Sequence, residues 1–362
     1  RAMARIRSPL FASAYPLPRF AAVFRPAMTA ASAHACPRRL PRIALLATGG
    51  TIAGAGPDST AAAYVAGALR GQALLQAVPQ LAQLAQVQVH ELFALDSADI
   101  SDAQRLQLAQ RVAALARQGD VDGIVITHGT DTLEESAYLL HLTIKTAKPV
   151  VLTGAMRAAT ALGADGPLNL YQAVQVAASA CAAGQGALVV MNGAIWSGRD
   201  VAKRDAAQVQ ALQSPYGPLG LVADDGPRFY RAPCRPHTLA SEFDADTLPA
   251  LPAVAVAASY GGMSAAAWQA LAAEGAQAIV HAGFGIGTVP QALQAQARRL
   301  RAQGVWLVRA SRTGSGALPA SARSPLWLCA DDQTPAQARL LMALGLTRTQ
   351  DAAALQALFE RY

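Results

Sequence analysis

Two segments rich in glycine and hydroxyl residues carry the side chains best suited to nucleophilic chemistry. The first, TGGTIA at 48–53, is centred on Thr51, and the second, THGTDT at 127–132, is centred on Thr130. Each directly follows a short apolar run that is typical of a buried strand. In an open α/β sheet, ligands bind beyond the carboxyl ends of the strands. We therefore expect two threonine hydroxyls to point into one crevice.

A threonine hydroxyl needs a neighbouring base before it can act as a nucleophile. Asp131, directly after Thr130, and Lys203 further along the chain could assist it. The glycine pair before Thr51 lets the backbone turn sharply and lets a ligand approach closely. Taken alone, such a turn is equally typical of a structural or phosphate-binding loop. The spacing fits neither the dinucleotide fingerprint nor the P-loop, and the second threonine segment favours catalysis.

The composition is that of a globular protein, with 52% hydrophobic and 15% charged residues in a chain of 362, long enough for two domains. Although the net charge is +7, the first 42 residues contain eight arginines and no acid, so the remainder carries a net charge of −1. A near-neutral body argues against nucleic-acid binding, which needs a basic surface. No apolar run reaches the roughly 18 residues that suggest a membrane span.

Short apolar runs alternate with amphipathic stretches, which predicts a doubly wound, mainly parallel sheet flanked by helices. We expect this amino-terminal catalytic α/β domain at 41–227 and a proline-rich linker at 228–252. A smaller carboxyl-terminal α/β domain is expected at 253–362. Ser101 with Gln104, and Thr334 with Gln337, have the spacing of helix capping boxes; these four residues are expected at helix starts.

Residues 1–40 are expected to be a disordered or non-native basic extension, because prolines interrupt them and no periodic pattern survives. Their arginine-rich, acid-free composition is typical of transit peptides. The alternative is that they are upstream sequence and that translation starts at Met28. A secretory signal fits poorly, because the segment has no uninterrupted apolar stretch.

The two threonine segments, together with four further motifs, resemble the bacterial L-asparaginase/glutaminase family over residues 41–362. The supporting motifs, in the order of that family, are GAMR at 154–157, ADGPLNLY at 164–171, GRDVAK at 198–203 and YGPLG at 216–220. The resemblance implies hydrolysis of L-asparagine to L-aspartate and ammonia through a threonine acyl-enzyme. It implies no metal and no organic cofactor.

The resemblance also implies a role for each matching residue. Thr51 would be the nucleophile, and Tyr64 would bind its hydroxyl and pass on its proton. Thr130, Asp131 and Lys203 would form a second catalytic cluster, in which the lysine charge eases formation of an alkoxide or hydroxide. Which threonine attacks first is left open, with Thr51 preferred.

For substrate binding, the resemblance assigns Ser97 to the α-carboxylate and Asp131 to the ammonium group, with Thr130 beside the amide. It assigns the backbone carbonyl of Ala155 to the leaving nitrogen and places Ala98 beside the amino group. In this family His128 is structural, so it is not expected to act as a base.

The chain departs from the family around the substrate amino group. Ala98 stands where the family has Gln or Glu, and Gly262 stands where it has Asn or Ser from a neighbouring subunit. Arg323 lies near the position of a glutamate. The preferred substrate is therefore open: an amidase of the same mechanism acting on glutamine or amino-blocked amides is one alternative. A non-catalytic amino-acid-binding protein on the same scaffold is another. A nucleotide-binding oxidoreductase is not favoured, because this sequence lacks the phosphate-binding fingerprint of such enzymes.

The resemblance further implies a homotetramer with sites shared between subunits, acting on a small-molecule amide, with no nucleic-acid or membrane partner. We expect a cytoplasmic protein, because the half-cystine that periplasmic relatives often carry near residues 145–147 is missing. A periplasmic location is the alternative if the basic extension is an export signal.

Overall fold

The computed structural model describes residues 39–60 and 63–362. The predicted basic extension therefore lies outside the described residues, apart from Arg39 and Leu40. Residues 40–362 form one compact unit that contains two sheets.

The larger sheet has eight strands. They are β1 (Arg42–Gly49), β2 (Gln86–Leu95), β3 (Gly123–Thr127), β4 (Val150–Thr153), β5 (Ala187–Met191), β6 (Ala194–Ser197), β9 (Gly220–Ala223) and β10 (Gly226–Phe229). A separate two-stranded ribbon pairs β7 (Ala202–Lys203) with β8 (Leu212–Gln213).

The spatial order of the large sheet is β10-β9-β6-β5-β4-β3-β1-β2. Strands β1 to β5 pair in parallel, and β6, β9 and β10 extend that sheet with antiparallel pairs. The strand order reverses between β1 and β3, which makes this the topological switch point where α/β sheets bind ligands. The two threonine segments follow these two strands.

The inner parallel strands β1, β3, β4 and β5 are buried because helices cover both faces of the sheet. Every residue of β3, β4 and β5 is buried, as the continuous apolar runs predict. Within the described residues the helices are α1 (Gly71–Gln76), α2 (Leu81–Leu84), α3 (Asp102–Ala116), α4 (Leu133–Thr143), α5 (Gly166–Ala177), α6 (Ala266–Ala273), α7 (Gln294–Ala302), α8 (Pro335–Leu346) and α9 (Ala352–Arg361). The two predicted capping boxes are confirmed at the starts of α3 and α8.

The smaller sheet has four parallel strands in the order β11-β12-β13-β14. They are β11 (Val254–Ala258), β12 (Ala278–Gly283), β13 (Trp306–Ser311) and β14 (Leu328–Cys329). A large mainly parallel sheet followed by a smaller parallel sheet confirms the predicted fold class. Strand β10 includes the first two residues of the segment 228–252, which was expected to be a linker.

Two groups of buried charges connect the helices and sheets. Arg339 of α8 pairs with Asp102 of α3 and Glu135 of α4, and Arg105 also contacts both acids. A bidentate pair between Arg199, which follows β6, and Asp332, which precedes α8, forms the second group. Among the described residues, no helix is both long and apolar enough to cross a membrane.

Candidate active site

Four neighbouring strand ends meet at the switch point and supply most of the predicted site residues. Ser97 follows β2, Thr51 follows β1, Thr130 follows β3 and Ala155 follows β4. Because these strands are parallel neighbours, their carboxyl ends lie along one edge of the sheet. Lys203 reaches the same edge from the ribbon strand β7.

Glycines allow the strand ends to approach one another closely. Gly50 has φ 76° and ψ −175°, a conformation essentially restricted to glycine. A Cβ atom at Gly50 would lie 2.3 Å from the backbone of Gly129, and a Cβ at Gly129 would lie 2.5 Å from Oγ of Ser97. The loops that carry Thr51 and Thr130 are therefore in direct backbone contact.

Thr51 is bonded to Tyr64, with 2.7 Å between Thr51 Oγ1 and the tyrosine hydroxyl oxygen. The two residues lie at the ends of a loop that closes on itself. Backbone bonds between Ala55 and Val65, and between Gly67 and Gly50, hold this loop against the end of β1. Tyr64 is 39% exposed, so its side chain lies on the solvent side of Thr51.

The second predicted cluster is also brought together. Lys203 Nζ donates to Thr130 Oγ1 at 3.0 Å and to Asp131 Oδ1 at 2.5 Å. Thr130 is buried, whereas the Asp131 side chain is 56% exposed. The ammonium group can stabilise an anion that forms at the Thr130 oxygen, and the exposed carboxylate is available to a cationic ligand group.

Ser97 and Ala98 lie beside this cluster at the end of β2. The Ser97 side chain is buried, and none of the described residues offers its Oγ a hydrogen-bond partner. A buried hydroxyl without a partner is costly, so this one is well suited to a ligand oxygen. Ala98 is exposed and has no polar side-chain atom.

Ala155 is fully buried in the turn after β4. The turn is held by Asp165, whose carboxylate accepts the backbone N–H groups of Met156 and Arg157 at 3.0 Å each. Asn169 donates to the carbonyl of Gly154 at 3.0 Å. These bonds rigidly fix the backbone around Ala155, which is the part of this residue that was predicted to bind substrate.

His128 is buried with both ring nitrogens occupied. Nδ1 donates to the carbonyl of Gly129 at 2.8 Å, so Nε2 is left to accept from the Ser136 hydroxyl at 2.9 Å. Burial lowers the pKa of His128 to about 4, which keeps the ring neutral near pH 7. Its bonds are those of a residue that supports the loop before Thr130.

One residue at the site was missed by sequence reasoning. Glu134, in the first turn of α4, accepts the backbone N–H of Lys203 at 2.6 Å. Burial raises the pKa of Glu134 to about 7, although the Lys203 N–H and the charge of Arg204 oppose this. An acid in a first helical turn is common because it suits the helix dipole, so the sequence carries no signal for this contact 69 residues away.

Two of the departures from the family pattern, Gly262 and Arg323, lie in the smaller domain. Gly262 is exposed in a turn after β11 with φ 79°, and it contributes no side chain. Arg323 forms an ion pair with Glu360 of α9 at 2.5 Å. Its charge is therefore paired within the same chain.

Comparison with known proteins identifies the family. Residues 42–235 match the family described as "Asparaginase, N-terminal", and residues 253–359 match the "Glutaminase/Asparaginase C-terminal domain". The chain is 46% identical over 330 residues to "Glutaminase-asparaginase" of Pseudomonas fluorescens biotype A, covering 90% of this chain and 91% of that one. It is 40% identical over 328 residues to "Probable L-asparaginase periplasmic" of Haemophilus influenzae, covering 89% and 93%.

A solved structure supports the same family. A crystal structure of a "Probable Cytoplasmic L-asparaginase from Campylobacter jejuni" superimposes with a TM-score of 0.86 at 40% identity, covering 89% of this chain and all of that one. Both family domains match in order, and together they span most of the sequence. The chain belongs to the asparaginase/glutaminase family.

Proposed function

We propose that this protein is an asparaginase, which hydrolyses the side-chain amide of L-asparagine to L-aspartate and ammonia. The observation that carries the proposal is the pairing of each threonine with a proton-handling partner at the switch point. Tyr64 lies 2.7 Å from Thr51, and Lys203 lies 3.0 Å from Thr130. A protein that only bound amino acids would have no need for two activated hydroxyls.

In the proposed mechanism, Thr51 Oγ1 attacks the amide carbon and its proton passes through Tyr64 to the leaving nitrogen. Breaking the carbon–nitrogen bond releases ammonia and leaves an ester on Thr51. Thr130, assisted by Lys203, polarises the amide and then activates the water that hydrolyses this ester. Hydrolysis restores the threonine hydroxyl and releases aspartate. No metal or organic cofactor takes part.

Substrate binding follows from the groups around the two threonines. The unpaired, buried Ser97 Oγ is suited to the α-carboxylate, and the exposed Asp131 carboxylate is suited to the ammonium group. The rigid backbone at Ala155 offers its carbonyl to the leaving nitrogen. Because Ala98 offers no acceptor, a same-mechanism amidase with a relaxed or different substrate, such as glutamine or an amino-blocked amide, is the second candidate.

The proposal is tested by ammonia release from asparagine in threonine variants. We expect Thr51→Ala and Thr130→Ala each to lower kcat by at least about 10³-fold, as loss of a nucleophile or its activator does. Thr247→Ala is the matched control, because Thr247 Oγ1 bonds only a nearby carbonyl in the segment before the small sheet. Near-normal turnover in either site variant would exclude the two-threonine mechanism, and mass spectrometry of trapped adducts identifies the esterified residue.

The same proposal includes a domain division, an assembly and a location. We assign catalysis to the amino-terminal domain, 41–227, joined by the linker 228–252 to the domain 253–362. We infer a homotetramer whose sites are shared between subunits. We also infer a cytoplasmic location; the free thiols of Cys181, Cys234 and Cys329 are compatible with a reducing compartment.

A further inference from the structure

The catalytic lysine contacts the start of helix α4 at two separate points. Its ammonium group bonds Thr130 and Asp131, which directly precede the helix. Its backbone N–H bonds the Glu134 carboxylate in the first helical turn at 2.6 Å. The two ends of one lysine are therefore fixed to the same five-residue stretch, and the contacts form a closed ring.

Apart from the bond to Glu134, a short ribbon holds the backbone at Lys203. Strand β7 has only two residues, and it pairs with an equally short strand in a ribbon separate from the large sheet, extended by one bond from Arg204 N–H to the Ala211 carbonyl. The lysine side chain is a flexible four-carbon stem, so the stem alone does not fix where the ammonium lies. At the other end of the GRDVAK motif, the buried Arg199–Asp332 pair fixes the chain. At the end of the motif that carries Lys203, the hydrogen bond to Glu134 fixes the chain.

We propose that Glu134 is a positioning residue, whose carboxylate fixes the backbone of Lys203 so that the ammonium stays within bonding distance of Thr130 and Asp131. This inference rests on the proposed function, because it assigns Glu134 a part in the same reaction. Glu134 acts through Lys203 and does not touch the substrate.

The ionisation state of Glu134 gives this role a measurable signature. Burial raises its pKa to about 7, and Glu135 adds to this, whereas Lys203 and Arg204 act in the opposite direction. An ionised carboxylate accepts a stronger hydrogen bond than a neutral acid does. Glu134 becomes protonated as the pH falls through about 7. We then expect the hydrogen bond from the Lys203 N–H to weaken, and kcat to fall with it.

The test compares Glu134→Ala and Glu134→Gln with the wild-type enzyme by kcat, KM and pH profile. We expect Glu134→Ala to lower kcat about 10- to 100-fold at pH 8, because a small displacement of a catalytic group has effects of this size. Glu134→Gln keeps an acceptor oxygen but no charge, so we expect its kcat to lie between that of Glu134→Ala and that of the wild type, close to the value that the wild type reaches below pH 7. The acid limb near pH 7 should disappear in both variants, with KM changing less than kcat.

The matched control is Glu135→Gln, which alters the neighbouring carboxylate in the same helical turn. Glu135 forms ion pairs with Arg339 of α8 and Arg105 of α3. We expect this variant to lose thermal stability and to keep the acid limb of the pH profile, displaced to lower pH because the Glu135 charge no longer raises the pKa of Glu134. If Glu134 had only a structural role, its variants would also lose thermal stability while keeping the acid limb, as Glu135→Gln is expected to do.

The outcomes separate this inference from the proposed function. If the wild type hydrolyses asparagine and Glu134→Ala keeps both its kcat and its acid limb, the positioning role is wrong. If the wild type releases ammonia from none of a panel of amides, the proposed function is wrong instead. Crystal structures of the wild type and of Glu134→Ala then still test the positioning role. An unchanged distance from Lys203 Nζ to Thr130 Oγ1 in Glu134→Ala would overturn it.

Discussion

At the scale of single residues, the proposed site depends on its amino-group end to select among amides. Asp131 is the carboxylate that the structure offers there, and Lys203 already binds one of its oxygens. Ala98 and Gly262 contribute no polar side chain. An ammonium group bound by few partners contributes little to the discrimination between substrates with and without that group. When the ammonium is missing, few protein groups are left unpaired.

We therefore expect asparagine to be preferred over its deaminated or N-acylated analogue by less than about 10⁴-fold in kcat/KM. Charge-assisted hydrogen bonds contribute about 1.5–3 kcal/mol each, so a single such bond accounts for one to two factors of ten. Ala98→Gln should widen the preference by restoring an acceptor. The comparison requires kcat/KM for each substrate with both proteins; a wild-type preference above about 10⁴-fold would indicate a further amino-group partner.

The sequence alone singled out candidate site residues only where a pattern recurred. Each threonine segment by itself is equally typical of a structural turn, so Thr51 and Thr130 became candidates because two such segments follow two apolar runs. Lys203 could be assigned only through the GRDVAK match, because a lone lysine is ordinarily a solvated surface residue. Glu134 could not be assigned, because the helix dipole already explains an acid in that turn.

At the scale of elements, the end of β1 is shaped by its contact with the loop after β3. Gly50 adopts a backbone conformation that other residues rarely reach, and Gly129 occupies the space where a side chain would lie. The position of Thr51 thus depends on two glycines in different loops.

We expect Gly50→Ala to lower kcat by about 10²-fold or more, because its methyl group would push the two threonine loops apart and misplace Thr51. Gly119→Ala is the control: the site has open space around the added Cβ and an ordinary φ. Circular dichroism establishes that both variants are folded, and ammonia release gives kcat. Full activity in Gly50→Ala would mean that the loops separate without moving Thr51.

A buried ion pair joins the large sheet to the start of α8. Arg199 is 7% exposed, and its guanidinium contacts both oxygens of Asp332 and one of Asp200. Removing one partner of a buried pair leaves the other charge unpaired, which costs about 3–5 kcal/mol. We expect Arg199→Ala to lower the free energy of unfolding by this amount.

The exposed pair of Arg228 with Asp225 provides the matched control for Arg199. Solvent screens exposed pairs, which contribute little to stability, so Arg228→Ala should be nearly neutral. Denaturant titration followed by tryptophan fluorescence measures both variants. Equal stability of the two variants would show that the Arg199 pair contributes no more than a surface contact.

The predictable elements were those with a continuous or periodic apolar pattern. Strands β3, β4 and β5 are buried on both faces, and their sequences show it. The antiparallel strands β9 and β10 have only four residues each, mostly half-buried or exposed. Strand β9 pairs with β6 and β10 pairs with β9, and such pairing leaves no periodic pattern in so short a segment.

At the scale of the whole molecule, the smaller domain exposes apolar side chains near the carboxyl ends of its strands. Tyr260, after β11, is 54% exposed, and Ile286, after β12, is 59% exposed. Gly262 lies in the same turn as Tyr260. In the proposed tetramer a neighbouring subunit lies at this position, and the near-neutral charge of residues 43–362 lets copies of the chain associate without strong repulsion.

We therefore expect light scattering to give a particle of about four times the 37.4 kDa of one chain. Ile286→Glu should shift the particle to smaller species, since burying a charge without a partner opposes association. It should also lower activity, because the shared sites would be incomplete. Leu239→Glu, which alters a similarly exposed residue before the smaller domain, is the control. An active wild-type particle of 37.4 kDa would contradict the shared-site assembly.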